Sequence, residues 1–163
     1  NVAIFSNIVH LGADPALIGF INRPKEATPH TIANIENNGY FTMNHVAPFQ
    51  IEAAHQSSAK YPDGVSEFDH VELTEQIRPE FRIPFVSGSP VQLGLKLVDI
   101  VPIKCNGTYL VVGELACAFL DESNVAADGF VDLAAAGSLT SLGIQGYYLP
   151  KFAQKLAYAR PFS

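Results

Sequence analysis

The stretch 91-VQLGLKLVDIVPIKCNGTYLVVGELACAFL-120 consists of two apolar runs on either side of the dipeptide Asn106-Gly107. Asn-Gly is a preferred pair for a two-residue hairpin turn, because both turn residues must adopt positive φ. Leucines alternate with small or polar residues in the first run: Leu93, Leu95 and Leu97 against Gln92, Gly94 and Lys96. This alternation is typical of a strand with one buried face and one face in water. The stretch therefore predicts two long antiparallel neighbours in a sheet or barrel.

Three shorter apolar runs, bounded by Gly, Pro or Asn, precede this hairpin: "VAIFSNIV" (2–9), "ALIGFIN" (16–22) and "YFTMNHV" (40–46). Runs of this length and composition indicate strands. Side chains alternate between the two faces of a strand, so Phe5 and Ser6 are expected to point in opposite directions. Strands dominate the chain, and the sequence predicts a mainly β protein with a few short helices.

The first of these helices follows Thr28, which can cap it, and its first residue is Pro29, which has no amide hydrogen to lose there. Gly39 follows the last turn and is expected to end the helix. The first turn leaves the amides of His30 and Thr31 without helical partners, beside the Thr31 hydroxyl. Such a turn can seat an anion such as a phosphate, but most helix starts of this kind are ordinary surface features.

Two further segments are predicted to be helical. Residues 50–60, "QIEAAHQSSAK", form the first, and residues 149–162, "LPKFAQKLAYARPF", form the second with Phe152 and Leu156 on one face. We find no internal repeat and no linker between these elements. The sequence therefore predicts one domain over residues 1–163.

The composition excludes several classes of function. The chain has 163 residues, 48% apolar residues and a net charge of −6 with pI near 5.2, so it lacks the basic surplus that nucleic-acid binding needs. No stretch is long and apolar enough for a membrane span. Cys105 and Cys117 are expected to be reduced and buried in strands. No metal site is predicted, because the histidines are scattered: His10, His30, His45, His55 and His70.

The order of several short segments resembles the flavin reductase-like family. These segments are Phe5-Ser6, Asp14-Pro15, "ALIGFIN", Arg23, His30-Thr31, "SSAKYPDGVSEFD" (57–69), "SGSPVQLGLKL" (87–97) and "LGIQGYY" (142–148). The resemblance covers nearly the whole chain. It implies an FMN-binding split β-barrel, antiparallel and Greek-key-like. In the family another strand precedes the segment that begins here at Asn1, so we expect the given sequence to lack that strand.

The resemblance also implies which residues hold FMN. Thr31 and the first-turn amides, with Arg23 or Lys25 and with help from His30, are expected to bind the 5′-phosphate. Ser6 and Asn7 are expected near the polar edge of the isoalloxazine ring. Ser58 and Lys60 lie in the loop that approaches the flavin in the family and are secondary candidates for contact with it. Tyr148 is a candidate for stacking near the cofactor or a partner subunit.

No catalytic acid, base or nucleophile is required, because flavin carries the hydride chemistry. The resemblance implies a cytoplasmic, homodimeric oxidoreductase that passes hydride from NADH or NADPH to FMN and on to an acceptor. One alternative is an FMN-binding electron carrier or flavin store without its own NAD(P)H turnover. Another is a barrel whose flavin site has become an interaction surface.

Overall fold

The structure, a computed structural model, describes residues 1–25, 29–62 and 64–161. Its strands are β1 (Ile8–Ala13), β2 (Ala16–Asn22), β3 (Tyr40–Asn44), β4 (Glu75–Arg78), β5 (Phe81–Val86), β6 (Val91–Ile103), β7 (Thr108–Leu120), β8 (Thr140–Leu142) and β9 (Gly146–Tyr148). Its helices are α1 (Pro29–Asn38) and α2 (Ile51–Gln56), with single 3₁₀ turns at Pro48–Gln50, Glu67–Asp69 and Glu122–Asn124. The predicted mainly β fold with few short helices is confirmed.

Strands β6 and β7 form the long hairpin that the sequence predicts, paired from Val91↔Leu120 to Ile103↔Thr108. The predicted two-residue turn is wrong, because residues 104–107 form the connection and only Gly107 has a positive φ, of 72°. Asn106 uses its side chain instead, and its Oδ1 accepts hydrogen bonds from the Thr108 amide (3.1 Å) and hydroxyl (2.8 Å). The turn exposes Cys105, which was expected to be buried in a strand.

The hairpin lies at the centre of an antiparallel five-stranded sheet in the order β1-β2-β7-β6-β3. The β6–β7 ladder shifts register between Gly94 and Leu95 and again between Leu97 and Asp99. Irregularities of this kind bend a strand and increase its twist. The bent hairpin carries β2 on one side and β3 on the other, which leaves β1 and β3 as the edge strands.

One face of the sheet forms the main hydrophobic core. Its fully or nearly fully buried members come from β2, α1, β3, β6 and β7: Phe20, Ile32, Ile35, Phe41, Leu95 and Val111. Helix α1 covers this face through its two isoleucines. The bounds predicted for α1 are confirmed at Pro29 and at Gly39, whose φ is 68° and whose amide donates to the Ile35 carbonyl oxygen at 2.8 Å. The predicted cap, Thr28, lies outside the described residues.

The opposite face of β6 was expected to be in water, but the β4–β5 hairpin covers part of it. Gln92 is 2% exposed and is held on several sides. Its Oε1 accepts from Arg78 Nε (2.9 Å) and Nη2 (2.6 Å), and its Nε2 donates to Gln76 Oε1 and to the Val86 carbonyl oxygen, both at 2.7 Å. A polar residue at this position is thus buried because its amide group is fully hydrogen-bonded.

Strands β3 and β5 are joined by side chains. Thr42 Oγ1 donates to the Pro84 carbonyl oxygen at 2.9 Å, and the Val86 amide donates to Asn44 Oδ1 at 3.0 Å. This edge of β3 is therefore connected to its neighbour by specific hydrogen bonds, without a regular backbone ladder to β5.

One predicted strand is largely missing and one predicted helix does not form. The strand expected over residues 2–9 begins only at Ile8, and the residues before it are held by isolated bonds, such as Ser6 Oγ to the Gly143 carbonyl oxygen at 2.9 Å. Residues 149–161 contain no helix. Leu156 and Tyr158 are 75% and 90% exposed, so this segment lacks the buried apolar face that stabilises a short helix.

The predicted helix over residues 50–60 is shorter in the structure, where α2 ends at Gln56. The strand expected before Asn1 lies outside the given sequence and stays a prediction.

Gly113 in β7 provides a test of the core packing. A Cβ atom at this position would lie 2.6 Å from Phe41 Cζ and 3.0 Å from Leu95 Cβ. We expect Gly113→Ala to lower the free energy of unfolding by about 1–3 kcal/mol, because the overcrowded core must shift. Urea denaturation measures this change.

Gly12→Ala in the edge strand β1 is the matched control, since its Cβ would be 3.4 Å from the Pro15 carbonyl oxygen, an ordinary contact distance. Equal unfolding midpoints for the two variants would contradict this account of the core.

Candidate functional site

A cavity of about 950 Å³ lies between residues 1–6, strand β3, helix α1 and the β8–β9 hairpin. Its volume is at the upper end of the range of about 300–1,000 Å³ that is usual for ligand and cofactor sites. It follows β3 along its length, from Tyr40 to Asn44, and includes the next two residues of the chain. The cavity is the candidate functional site because it brings together segments that are far apart in the sequence.

Aromatic and aliphatic side chains of the core form the apolar part of the cavity wall. These residues are Phe5, Ile18, Phe20, Phe41, Met43 and Leu93. The rings of Phe5 and Phe20 meet edge to face at 4.5 Å between centroids, and Phe20 meets Phe41 in the same way at 5.8 Å. The wall therefore offers apolar surface to a flat ligand, and its shape depends on the core packing.

Helix α1 provides a polar wall. Thr31 in its first turn, Asn34 in its middle and Asn38 at its end all face the cavity. Asn34 Nδ2 donates to Asn1 Oδ1 at 3.0 Å, which ties the start of the described chain to the helix. Since α1 presents its first turn to the cavity, the helix dipole favours a negatively charged group at that end.

Arg82 of β5 lies at the opposite end of α1. Its Nη2 donates to the Asn38 carbonyl oxygen, and its guanidinium carbon is 4.7 Å from the centroid of the Tyr40 ring. With a rise of 1.5 Å per residue, the seven-residue step from Thr31 to Asn38 separates the two ends of the helix by about 10 Å. Arg82 is therefore held at the end of α1 that is remote from Thr31.

The β8–β9 hairpin, which contains the last two strands of the chain as described, forms another wall of the cavity. Tyr147 of β9 faces the cavity, and its hydroxyl oxygen lies 2.9 Å from His55 Nδ1 of α2. The two rings meet edge to face with 5.9 Å between centroids. Burial raises the pKa of Tyr147 above its usual value, so its phenol stays protonated at neutral pH.

His45 and Ser57 also line the cavity and have structural partners. His45 Nδ1 lies 3.0 Å from Ser138 Oγ, and burial lowers the pKa of the imidazole, which favours its neutral form. Ser57 is 3% exposed and its hydroxyl donates to the Ala54 carbonyl oxygen at 2.7 Å. Both side chains are thus already hydrogen-bonded within the protein.

The structure brings two of the residues predicted from the sequence, Ser6 and Thr31, into the cavity wall. Seven others lie outside that wall: Asn7, Arg23, Lys25, His30, Ser58, Lys60 and Tyr148. The predicted roles of all nine residues in cofactor binding stay predictions.

The residues outside the wall have identifiable surroundings. Asn7 Oδ1 accepts from the Ile21 amide at 3.2 Å, and Ser58 Oγ donates to the His55 carbonyl oxygen at 2.7 Å. Lys25 Nζ lies 3.4 Å from Glu36 Oε1 and 5.5 Å from the centroid of the Tyr109 ring. His30 is half-buried, whereas Arg23, Lys60 and Tyr148 are exposed.

Sequence reasoning missed Arg82, Asn34 and the Tyr147–His55 pair. The segment around Arg82 reads as an ordinary loop, and only its pairing in β5 brings the guanidinium to α1. Tyr147 and Tyr148 are adjacent, and successive strand residues face opposite sides. This alternation predicts that one of the two tyrosines faces inward, but the sequence alone did not indicate which one.

Within residues 1–25, 29–62 and 64–161, no cluster of three or more His, Cys, Asp or Glu side chains is arranged to hold a metal ion. In the same part of the chain, the helices are too short or too polar to span a membrane.

Comparison with known proteins identifies relatives of this chain. An uncharacterised protein of Halalkalibacterium halodurans is 33% identical over 122 residues, which are 74% of this chain and 56% of that protein. The chain thus spans little more than half the length of this curated relative. A candidate flavin reductase with a split barrel domain from Shewanella frigidimarina is 39% identical, with a TM-score of 0.91 over 98% of this chain and 79% of the other.

A more distant structure is that of an FMN-binding protein from Thermus thermophilus. It is 17% identical, with a TM-score of 0.75 over 93% of this chain and 81% of its own, and it shares the fold alone. The flavin reductase-like domain matches residues 1–134. The chain therefore belongs to the flavin reductase-like family, and its fold is the split barrel.

Proposed function

We propose that the protein is an oxidoreductase that binds FMN in the cavity beside α1 and β3. The observation that carries this proposal is the pairing of an apolar, aromatic wall with the first turn of α1 in one cavity of about 950 Å³. A flavin needs both kinds of surface, because its ring system is flat and largely apolar and its 5′-phosphate is doubly charged. The FMN-binding relative from Thermus thermophilus, which has the same fold, supports this assignment.

The residues present fit the cofactor at both ends. Phe5, Phe20 and Phe41 provide surface for the ring system, and Ser6 is a polar residue in the wall of the same cavity. Thr31 and the first turn of α1 provide hydrogen-bond donors for the phosphate, with the helix dipole in the favourable direction. Arg23 and Lys25 lie in the loop before α1 and are the cations we propose to approach the phosphate.

When bound, the flavin supplies the hydride and electron chemistry. The protein holds the ring in place, keeps water from it through the aromatic wall, and neutralises the phosphate. We propose that NADH or NADPH is the electron donor. The family assignment establishes a flavin reductase-like domain, and the choice of electron donor goes beyond it.

The phosphate site is tested by Thr31→Val combined with Arg23→Ala. We expect FMN binding to weaken by about 1.5–3 kcal/mol for each charge-assisted hydrogen bond lost, while riboflavin, which has no phosphate, is affected much less. Fluorescence titration of both flavins measures the two affinities.

Arg82→Ala and Lys151→Ala provide comparisons with the same change of charge. Arg82 lies at the other end of α1, and Lys151 is exposed in the segment after β9. A larger loss of FMN affinity in Arg82→Ala than in the Thr31 and Arg23 double variant would contradict the proposed phosphate site at the first turn of α1.

The reductase activity is tested by adding NADH and then NADPH to the FMN-loaded protein under anaerobic conditions. We expect the visible absorption of bound flavin to bleach rapidly with one of the two nucleotides. Bound flavin that stays oxidised with both would favour the alternative function of electron carrier. Failure to bind FMN would contradict both functions.

We also propose that the protein is a homodimer. The edge strand β1 exposes Val9 and Leu11, which are 40% and 42% exposed, and an apolar strand edge tends to associate with another chain. We expect the wild-type protein to sediment as a dimer and the variant with Val9→Lys and Leu11→Lys to sediment as a folded monomer. A monomeric wild-type protein would refute this proposal.

A further inference from the structure

Arg82 is the one lysine or arginine in the cavity wall among the residues that the structure describes. It is an exposed residue of β5 and lies at the end of α1 that is remote from Thr31. Two contacts orient its guanidinium: Nη2 donates to the Asn38 carbonyl oxygen, and the guanidinium carbon lies 4.7 Å from the centroid of the Tyr40 ring. The proposed FMN contacts do not use this cation.

The contacts of Arg82 leave most of its hydrogen-bond donors free of protein partners. A cation at the C-terminal end of a helix is favourable in itself, but the bond to Asn38 uses only one N–H of the guanidinium. In the described part of the chain, no carboxylate forms an ion pair with Arg82. The remaining donors, on a group held beside the Tyr40 ring, are therefore available to an anion in the cavity.

The negative charge of the wall lies away from Arg82. Glu75 of β4 is the one Asp or Glu in the wall among the described residues, and it pairs with Val86 of β5. Val86 lies about 13 Å beyond Arg82 along the strand, at a rise of about 3.3 Å per residue. Glu80, which precedes Arg82 in the chain, is outside the wall. An anion bound at Arg82 thus has no carboxylate of the wall beside it.

A second ligand that carries phosphate groups suits this end of the cavity. In the proposed site the FMN phosphate lies at the first turn of α1, and the ring system lies against the aromatic wall. A dinucleotide whose nicotinamide lies against the flavin ring carries further phosphate groups and an adenosine, which must extend beyond that ring. Arginine binds phosphate strongly, because its planar guanidinium can donate paired N–H bonds to the oxygens.

We propose that Arg82 binds a phosphate group of the nicotinamide dinucleotide that donates electrons to the flavin. Arg82 is a specificity-determining residue in this arrangement, because it separates a donor with phosphate groups from one that has only the dihydronicotinamide ring. The inference rests on the proposed function, in which NADH or NADPH is the electron donor.

The test compares NADH and NADPH with N-benzyl-dihydronicotinamide, a hydride donor without phosphate groups. Each donor is mixed anaerobically with the FMN-loaded protein, and the rate of flavin bleaching is measured against donor concentration. We expect Arg82→Ala to raise the half-saturating concentration of NADH, NADPH or both about 10- to 100-fold, with little change in the limiting rate. The benzyl compound should reduce the flavin of the wild type and of Arg82→Ala at equal rates.

Two further variants serve as controls. Lys151→Ala removes a positive charge from an exposed residue outside the wall and should match the wild type with every donor. Arg82→Lys keeps the charge but loses the paired N–H geometry, so it should restore part of the affinity. Thermal unfolding and FMN affinity check that loss of the Asn38 contact leaves the fold and the flavin site intact.

ADP-ribose and its 2′-phosphate derivative carry the phosphate groups without the nicotinamide, so their binding needs no electron transfer. Calorimetric titration of the FMN-loaded protein measures it, and we expect Arg82→Ala to weaken the binding of at least one of them. The inference would be overturned if neither compound bound to the wild type. It would also be overturned if Arg82→Ala matched Lys151→Ala with both nucleotides, or slowed reduction by the benzyl compound as much as reduction by the nucleotides.

Failure of the proposed function gives a different result. Wild-type flavin that the benzyl compound bleaches, but that NADH and NADPH both leave oxidised, would contradict the proposed electron donor. The titrations with ADP-ribose and its 2′-phosphate derivative would then decide the role of Arg82 by themselves.

Discussion

The fold depends on the β6–β7 hairpin, which α1 covers on one face and the β4–β5 hairpin covers in part on the other. Gly113 leaves space for the Phe41 ring on the face that α1 covers, and Gly94 leaves space for the Phe81 ring on the face that β4–β5 covers. A side chain at Gly94 would begin 2.6 Å from Cys117 Sγ and 2.9 Å from Phe81 Cδ2. Because the core is closely packed, the missing side chain at Gly113 lets the Phe41 ring of β3 lie against the hairpin, and the missing side chain at Gly94 does the same for the Phe81 ring of β5.

The cavity is a consequence of how those layers meet. Side-chain bonds from Thr42 and Asn44, rather than a backbone ladder, join β3 to β5, and residues 1–6 lie beside the sheet without forming a strand. Space therefore remains along β3, and its wall includes core residues such as Phe20 and Phe41. A ligand bound there contacts the same rings that stabilise the fold, so its binding energy adds to the stability of the native state.

Local rules explain why much of the architecture could be predicted. The apolar run of β2 is bounded by Pro15 and Arg23-Pro24, and the predicted strand matches Ala16–Asn22. Pro29 and Gly39 mark the ends of α1 because their backbone preferences act within a single turn of helix. The segment after Tyr148 has a helical pattern too, but it is exposed and lacks a packing surface, so its pattern alone could not produce a helix.

The sequence by itself determined the antiparallel hairpin, the bounds of α1 and, through the order of its motifs, membership of the flavin reductase-like family. Its alternating pattern and its Gly and Pro positions are local, and they act over a few residues. Only the tertiary structure decided that Thr31 and Ser6 share a cavity, that Arg82 reaches the far end of α1, and that Tyr147 rather than Tyr148 faces inward. These outcomes depend on strand register and on contacts between distant segments, which are set by the packing of the whole chain.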